Sequence, residues 1–166
     1  MRLLRGLAAA VAVATVVLLA AGQAGWLRGT PPTDLGVRDG RLKPPSPAPN
    51  SVSSQAALHA DHPQRQAAQI DPLPLLAGDD GAATIARLAA LIAARGDARI
   101  VEQRPDYLRV EFTTRWLRFV DDAEFWVDPA AGVVQVRSAS RLGRGDLGVN
   151  RTRIEALRSA LAAPAT

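Results

Sequence analysis

The sequence contains no cysteine. That absence excludes a disulfide framework, thiolate-ligated zinc or iron–sulfur centres, thiol catalysis and a lipid-modified N-terminal cysteine. Aromatic residues are scarce at 4%, and the 48% hydrophobic content is inflated by alanine and by the N-terminal segment. A true excess of positive charge is also missing. The formal charge is +4, but Arg2, Arg5 and Arg28 lie in or beside that segment, and from Thr30 onward 17 basic residues stand against 16 acidic ones. Such a balance is no nucleic-acid footprint. At 166 residues the chain has room for one ordinary domain with small additions, which excludes a multidomain enzyme.

What is present begins with a membrane signal. Met1 to Arg5 carries two arginines, Leu7 to Ala21 is an uncharged run, and Gly22 and Ala24 supply the small residues of a cleavage site. Gly6 to Leu27 extends to 22 residues without charge, long enough for an uncleaved anchor. Residues 1–28 are therefore a signal peptide or a membrane anchor. In both cases Arg2 and Arg5 stay on the cytoplasmic side and the remainder is exported, to the periplasmic side of an inner membrane, anchored or released.

Residues 29–50, GTPPTDLGVRDGRLKPPSPAPN, hold too many prolines and glycines for a periodic apolar face. They read as an extended tether or as a segment laid over a domain formed by residues 51–163. In that domain, Gln69 to Leu76 reads as a short edge strand or an extended stretch, since Pro72 and Pro74 cannot donate to a central ladder. Asp79 or Asp80 can cap a helix running through Ala94, with Ile85, Leu88, Leu91 and Ile92 on one stripe, and Gly96 stops it. Strands are expected at Ala98 to Gln103, Tyr107 to Thr113, Trp116 to Val120 continuing through Ala123 to Val127, and Val133 to Ser140. Asn150 can cap a last helix, Arg151 to Leu161. Connections this short imply antiparallel pairing. The expected fold is α+β: a two-layer sandwich with a mainly antiparallel sheet covered by two helices, after an N-terminal hydrophobic helix.

Several stretches carry a family resemblance: Leu42 to Pro44 with Pro49 to Gln55, Ala98 to Pro105, Phe119 to Phe125, and above all Val136 to Gly143 through Asp146 to Arg153. Across Leu42 to Leu161 the chain resembles the domain of unknown function 1499, found in exported bacterial proteins and in plastids. The resemblance implies a fold and an address, with no activity to carry over. It also implies a cysteine pair where this chain has Pro45 and Ser51. Their joint replacement fits a dispensable structural disulfide and argues against catalysis at those positions.

The densest polar stretch is RSASRLGRGDLGVNR, between a strand and a helix. In a regular strand Arg137, Ala139 and Arg141 share one face while Ser138 and Ser140 face the other way. Glycines then let backbone N–H groups converge near the start of the last helix. Arg137, Ser138, Ser140, Arg141, Asp146, Asn150 and Arg151 are therefore the candidate ligand-binding residues, suited to a phosphate or carboxylate. The competing reading is a framework in which Asp121, Asp122 or Asp146 pairs with these arginines. His59, Asp61 and His62 invite a metal reading, but Pro63 interrupts the segment and no completing motif follows, so no metal or cofactor is assigned. Asp122 and Glu124 can meet on one strand face, although turn acids explain them as simply. Trp116 and Trp126 read as core or sheet-face aromatics. With no nucleophile–base set, no catalytic residue is assigned.

Three functions remain as expectations. The first is a non-enzymatic envelope domain contributing to assembly or protein interaction, held to the membrane by its N-terminal segment. The second is a binder of a small anionic ligand or lipid headgroup through Arg137 and Arg141. The third is a periplasmic hydrolase using His59 or His62.

Overall fold

A computed structural model describes residues 1–164. The chain opens with α1, Arg2–Gln23, an apolar helix with no charge between Arg5 and its end. The helix is long and apolar enough to cross a membrane, and its apolar stretch is not buried by the rest of the chain. After residues 24–50 follow β1 (Ser51–Ser53), a 3-10 turn (Ala56–Leu58) and β2 (Leu73–Pro74). Then come α2 (Ala82–Ala93), β3 (Ala98–Arg104), β4 (Tyr107–Thr113), β5 (Val120–Asp128), β6 (Val133–Ser140) and α3 (Val149–Ala162). The sheet order is β1-β6-β5-β4-β3, with β2 also pairing on β6, and every strand pair is antiparallel. The fold is the expected α+β arrangement.

Strand alternation divides the sheet into two unlike faces. On one side Leu108, Val110 and Phe112 of β4, Ala123, Phe125 and Val127 of β5, and Val134 and Val136 of β6 meet the apolar stripes of α2 and α3. Ile85, Leu88 and Ile92 of α2 and Ile154, Leu157 and Leu161 of α3 complete that core. Gly81 lets α2 approach: its φ is +118°, and a Cβ there would lie 2.5 Å from a methyl of Val127. The other face carries Tyr107, Arg109, Glu111, Asp122, Glu124 and Arg137, and residues 30–47 are laid across it as a strap. Leu42 of the strap is 2% exposed, and strap backbone groups at Pro32, Gly36 and Pro44 bond Arg109, Glu124 and Arg137, so of the two readings open for residues 29–50 the geometry is that of a segment laid over the domain.

Local details differ from the sequence reading in three places. Residues 114–119 form a loop rather than the start of β5, because Thr114 and Phe119 close on each other. The Thr114 N–H donates to the Phe119 carbonyl at 2.9 Å, the Phe119 N–H donates to Thr114 Oγ1 at 2.9 Å, and Arg118 takes a φ of +59°. Trp116 is consequently 63% exposed and belongs to no core. At α3, Gly148 occupies the cap position and the Asp146 carboxylate accepts from the N–H groups of Gly148 and Asn150, each at 3.0 Å. Asn150 is thereby released from capping and turns into the core. At α2 the cap position is Gly81, and Asp79 accepts from the N–H groups of Ala83 and Thr84.

Candidate functional site

The seven candidate residues do not form one cluster. Because β6 is regular, Ser138 and Ser140 face the helices, Arg137 faces the strap, and Arg141, one residue beyond the strand, reaches the strap side as well. Arg151 stands apart from both groups, donating to the carbonyls of Ala67 at 2.9 Å and Gln69 at 2.8 Å.

On the helix side Asn150 is the hub. Its Nδ2 donates to Asp146 Oδ2 at 2.9 Å, Ser140 Oγ at 3.1 Å and the Asn50 carbonyl at 3.2 Å. Its Oδ1 accepts from Ser138 Oγ at 2.5 Å and from Arg153 Nη1 at 3.0 Å. Arg153 also donates to Asp121 Oδ2 at 2.7 Å and stacks over Phe112 at 4.4 Å. Burial acts to raise the Asp146 carboxyl, but the N–H groups of Asn150 and Gly148 outweigh it and hold the pKa below 3.8. Every polar group of Asn150 is thus used inside the protein, which makes this cluster a strut between β6, α3 and the strap end.

The strap side is different in kind. Cross-strand register places Glu111 directly opposite Asp122, a like-charge pairing that is destabilising unless neutralised. Arg141 neutralises it, its Nε and Nη2 gripping Asp122 at 2.7 and 2.8 Å while Nη2 reaches Glu111 at 2.5 Å. Arg99 takes the second Glu111 oxygen at 2.7 Å. Burial acts to raise the Glu111 carboxyl, yet these two guanidiniums hold it below its ordinary value. The Arg141 guanidinium is itself held more firmly protonated, first by Asp122. Arg141 is therefore committed to framework carboxylates.

Arg137 is not committed in that way. Its cross-strand neighbour is Glu124, which is wholly buried. Glu124 Oε1 accepts from the Tyr107 hydroxyl at 2.8 Å and from the Gly36 N–H at 2.7 Å. Its Oε2 has no hydrogen-bond partner and lies 3.7 Å from Arg137 Nη1. Arg137 Nε donates to the Pro44 carbonyl at 3.1 Å, and among the described residues neither Nη makes a hydrogen bond. Burial pushes the Glu124 carboxyl up and the Arg137 guanidinium down. A guanidinium does not deprotonate in proteins, so the carboxyl takes up the strain and Arg137 keeps its charge. Beside it a cavity of about 220 Å³ opens between strap and sheet, lined by Pro32, Lys43 and Ser46 from the strap and by Asp122, Arg137 and Arg141 from the sheet side.

The strap is itself fixed by named bonds. Gln55 holds it at two points, accepting from the Leu42 N–H at 2.8 Å and donating to the Gly40 carbonyl at 3.1 Å. Ser51 Oγ accepts from the Ser46 N–H at 2.9 Å, joining strap to β1 at the segments where the resemblance implied a cysteine pair. The histidines lie elsewhere: His62 Nδ1 accepts from the Gln64 N–H at 3.1 Å, and the buried Nε2 of His59 has no partner. Neither bonds a serine or a carboxylate among the described residues. Sequence reasoning missed Tyr107, Arg109, Glu111, Arg153 and Gln55. The first three alternate with Leu108, Val110 and Phe112, a pattern that by itself reads as a solvated strand face.

Fold and site together define a small α+β domain with a buried charged layer roofed by its own N-terminal strap. The chain belongs to the family described as Protein of unknown function (DUF1499), which matches residues 41–161. No curated protein and no solved structure matches it.

Proposed function

We propose that this chain is an exported, membrane-anchored domain that binds, without a chemical step, a small anion in the cavity between strap and sheet. The observation that carries the reading is Arg137: a guanidinium with unfilled Nη donors beside a cavity whose other charged lining, Lys43 bonded to Asp34 and Arg141 bonded to Asp122, is already paired. A planar fork of this kind fits carboxylate or phosphate oxygens, and the volume suits a ligand of a few heavy atoms. Glu124 sets the pH sense. While its carboxyl is neutral the charge of Arg137 is free to meet an anion, and as pH rises through its elevated pKa the carboxylate competes. Anchoring is supported by α1, by Arg2 and Arg5 at its N-terminal end and by the seating of its last turn on the domain.

The test is thermal-shift titration of the full chain in detergent with inorganic phosphate and with small mono- and dicarboxylates, against chloride at matched ionic strength. A saturable rise in Tm that weakens with increasing pH and vanishes in a folded Arg137→Gln variant is expected. Equal responses of wild type and variant, or no salt-matched shift for any anion, would remove the reading.

A further inference from the structure

The sheet end nearest α1 carries a surface that the anion site does not use. The last turn of α1 docks on the 114–118 loop: Gln23 Nε2 donates to the Trp116 carbonyl at 2.8 Å, and a Cβ on Gly22 would lie 2.6 Å from the Leu117 carbonyl oxygen. Beside that joint Trp116 is 63% exposed, Leu142 40%, Val149 42% and Leu147 fully, with Trp26 79% exposed just beyond the helix. Leu147 also holds a φ of +54°, which turns a leucine outward at the tip of its loop. An apolar cavity of about 270 Å³ lies between the two loops, bounded by Phe119, Leu142, Leu147 and Val149.

Charge follows the same geography. Arg28, Arg115, Arg118 and Arg144 belong to the same segments as these apolar side chains and make no ion pair among the described residues, while Asp146 is bonded to the start of α3. Arg115 instead stacks over the Trp116 ring at 4.8 Å. At the opposite end of the sheet, at the β3–β4 and β5–β6 turns, Arg104 is paired with Glu102 and Asp106, and Asp128 adds a further acid, so no free cation stands there among the described residues.

We infer that the 114–119 and 142–149 loops form a surface that seats the domain on the lipid interface from which α1 emerges. This rests on the anchored reading of α1. A 22-residue helix is about 33 Å long, against a hydrocarbon thickness of about 30 Å. With Arg2 at one headgroup layer, Gln23 stands at the other, and the loop bonded to Gln23 stands there too. Tryptophan and arginine among exposed leucine and valine are the side chains suited to that layer, because rings and guanidiniums tolerate a boundary that is apolar below and wet and anionic above. The seating fixes the orientation of the sheet, with the β5–β6 turn farthest from the bilayer.

The cysteine-free chain permits a direct test with single-cysteine variants of the full protein, labelled with an environment-sensitive fluorophore and reconstituted in phosphatidylcholine–phosphatidylglycerol vesicles. Leu147→Cys reports the surface, Ala131→Cys the far turn and Val13→Cys the helix. Several-fold stronger quenching by a nitroxide near the lipid headgroup is expected at position 147 than at 131, with a deep nitroxide quenching position 13. If position 13 is quenched and position 147 behaves like 131, the seating is overturned and the anchor stands. If none is quenched, the anchored reading falls and the seating with it. Protection of position 147 from both lipid nitroxide and aqueous iodide would mean that protein covers the surface, which also overturns the inference.

Discussion

β4 presents Leu108, Val110 and Phe112 to the helices and, in the intervening positions, Tyr107, Arg109 and Glu111 to the strap. One strand thus supports two buried layers of opposite chemistry. On the helix side burial is driven by apolar area, and in its polar cluster every group of Asn150 is bonded while the neutral Asn50 Oδ1 alone lacks a partner among the described residues. On the strap side the buried groups are charged, with Arg109 Nε and Glu124 Oε2 unpartnered. Apolar burial stabilises without regard to direction, whereas a buried charged layer is tolerable only when its members are paired. Stability therefore resides with the helices, and adjustable chemistry with the strap.

Truncating each layer should expose that difference. Phe125→Ala removes a wholly buried ring between β5 and the helices, at an expected cost of about 3–5 kcal/mol in denaturant unfolding. Asp122→Ala leaves Arg141, whose side chain is 5% exposed, with Glu111 as its remaining partner, and should cost about 3 kcal/mol, near the lower end for breaking a buried pair. The layers part company in the double variants. Asp122→Leu with Arg141→Met should recover much of the Asp122 loss, because an apolar pair replaces a charged one, while no partner change of this kind rescues Phe125→Ala. Failure of the double variant to recover would mean that the strap-side charges are required for folding itself.

The same contrast explains what could be read without coordinates. β6 was legible to the residue, Val133–Ser140, because period-two alternation and the Asp128–Gly132 turn agree. The α2 stripe of Ile85, Leu88 and Ile92 was equally legible. The strap-side layer was not, since charged residues alternating with apolar ones read as a solvated face unless a second cover is known to exist. That cover is 30–47, whose prolines and glycines conceal its packing role because it is held through side-chain and backbone bonds rather than by a periodic face. The candidate cluster failed to appear as one site for a related reason. Its residues adjoin in sequence, but alternation along β6 sends Ser138 and Arg137 to opposite sides of the sheet.

Titration should separate the faces in sign. On the helix side Asp79 at the start of α2 is held at about 2 from an ordinary 3.8, chiefly by the Thr84 hydroxyl. A depressed folded pKa gives stability that is present above the unfolded value and lost as pH falls from about 4 toward 2. On the strap side Glu124 is raised above 4.5 by burial. Its protonated form is favoured by folding, so its contribution is present below 4.5 and declines as pH rises through the folded pKa. Denaturation midpoints measured across pH should show the acid-side loss reduced in Asp79→Asn and the higher-pH loss flattened in Glu124→Gln. A Glu124→Gln profile parallel to wild type above pH 4.5 would contradict the buried-carboxyl account.

The smallest effect on stability belongs to the joint between helix and domain. Gly22→Val would drive a side chain into the Leu117 backbone, where even a Cβ approaches the carbonyl oxygen to 2.6 Å. Neither partner belongs to the apolar core, so the unfolding free energy of the domain should change by no more than about 0.5 kcal/mol. The loop would nevertheless lose the contact that holds it against α1, and Arg115 and Arg118 within it are trypsin sites. Cleavage after these arginines in the folded full chain should accelerate in Gly22→Val while cutting elsewhere is unchanged, since local opening and not global unfolding exposes the loop. Unchanged cleavage would mean that Thr114 and Phe119 alone fix the loop, and that the orientation of the domain on α1 is set by residues 24–29 instead.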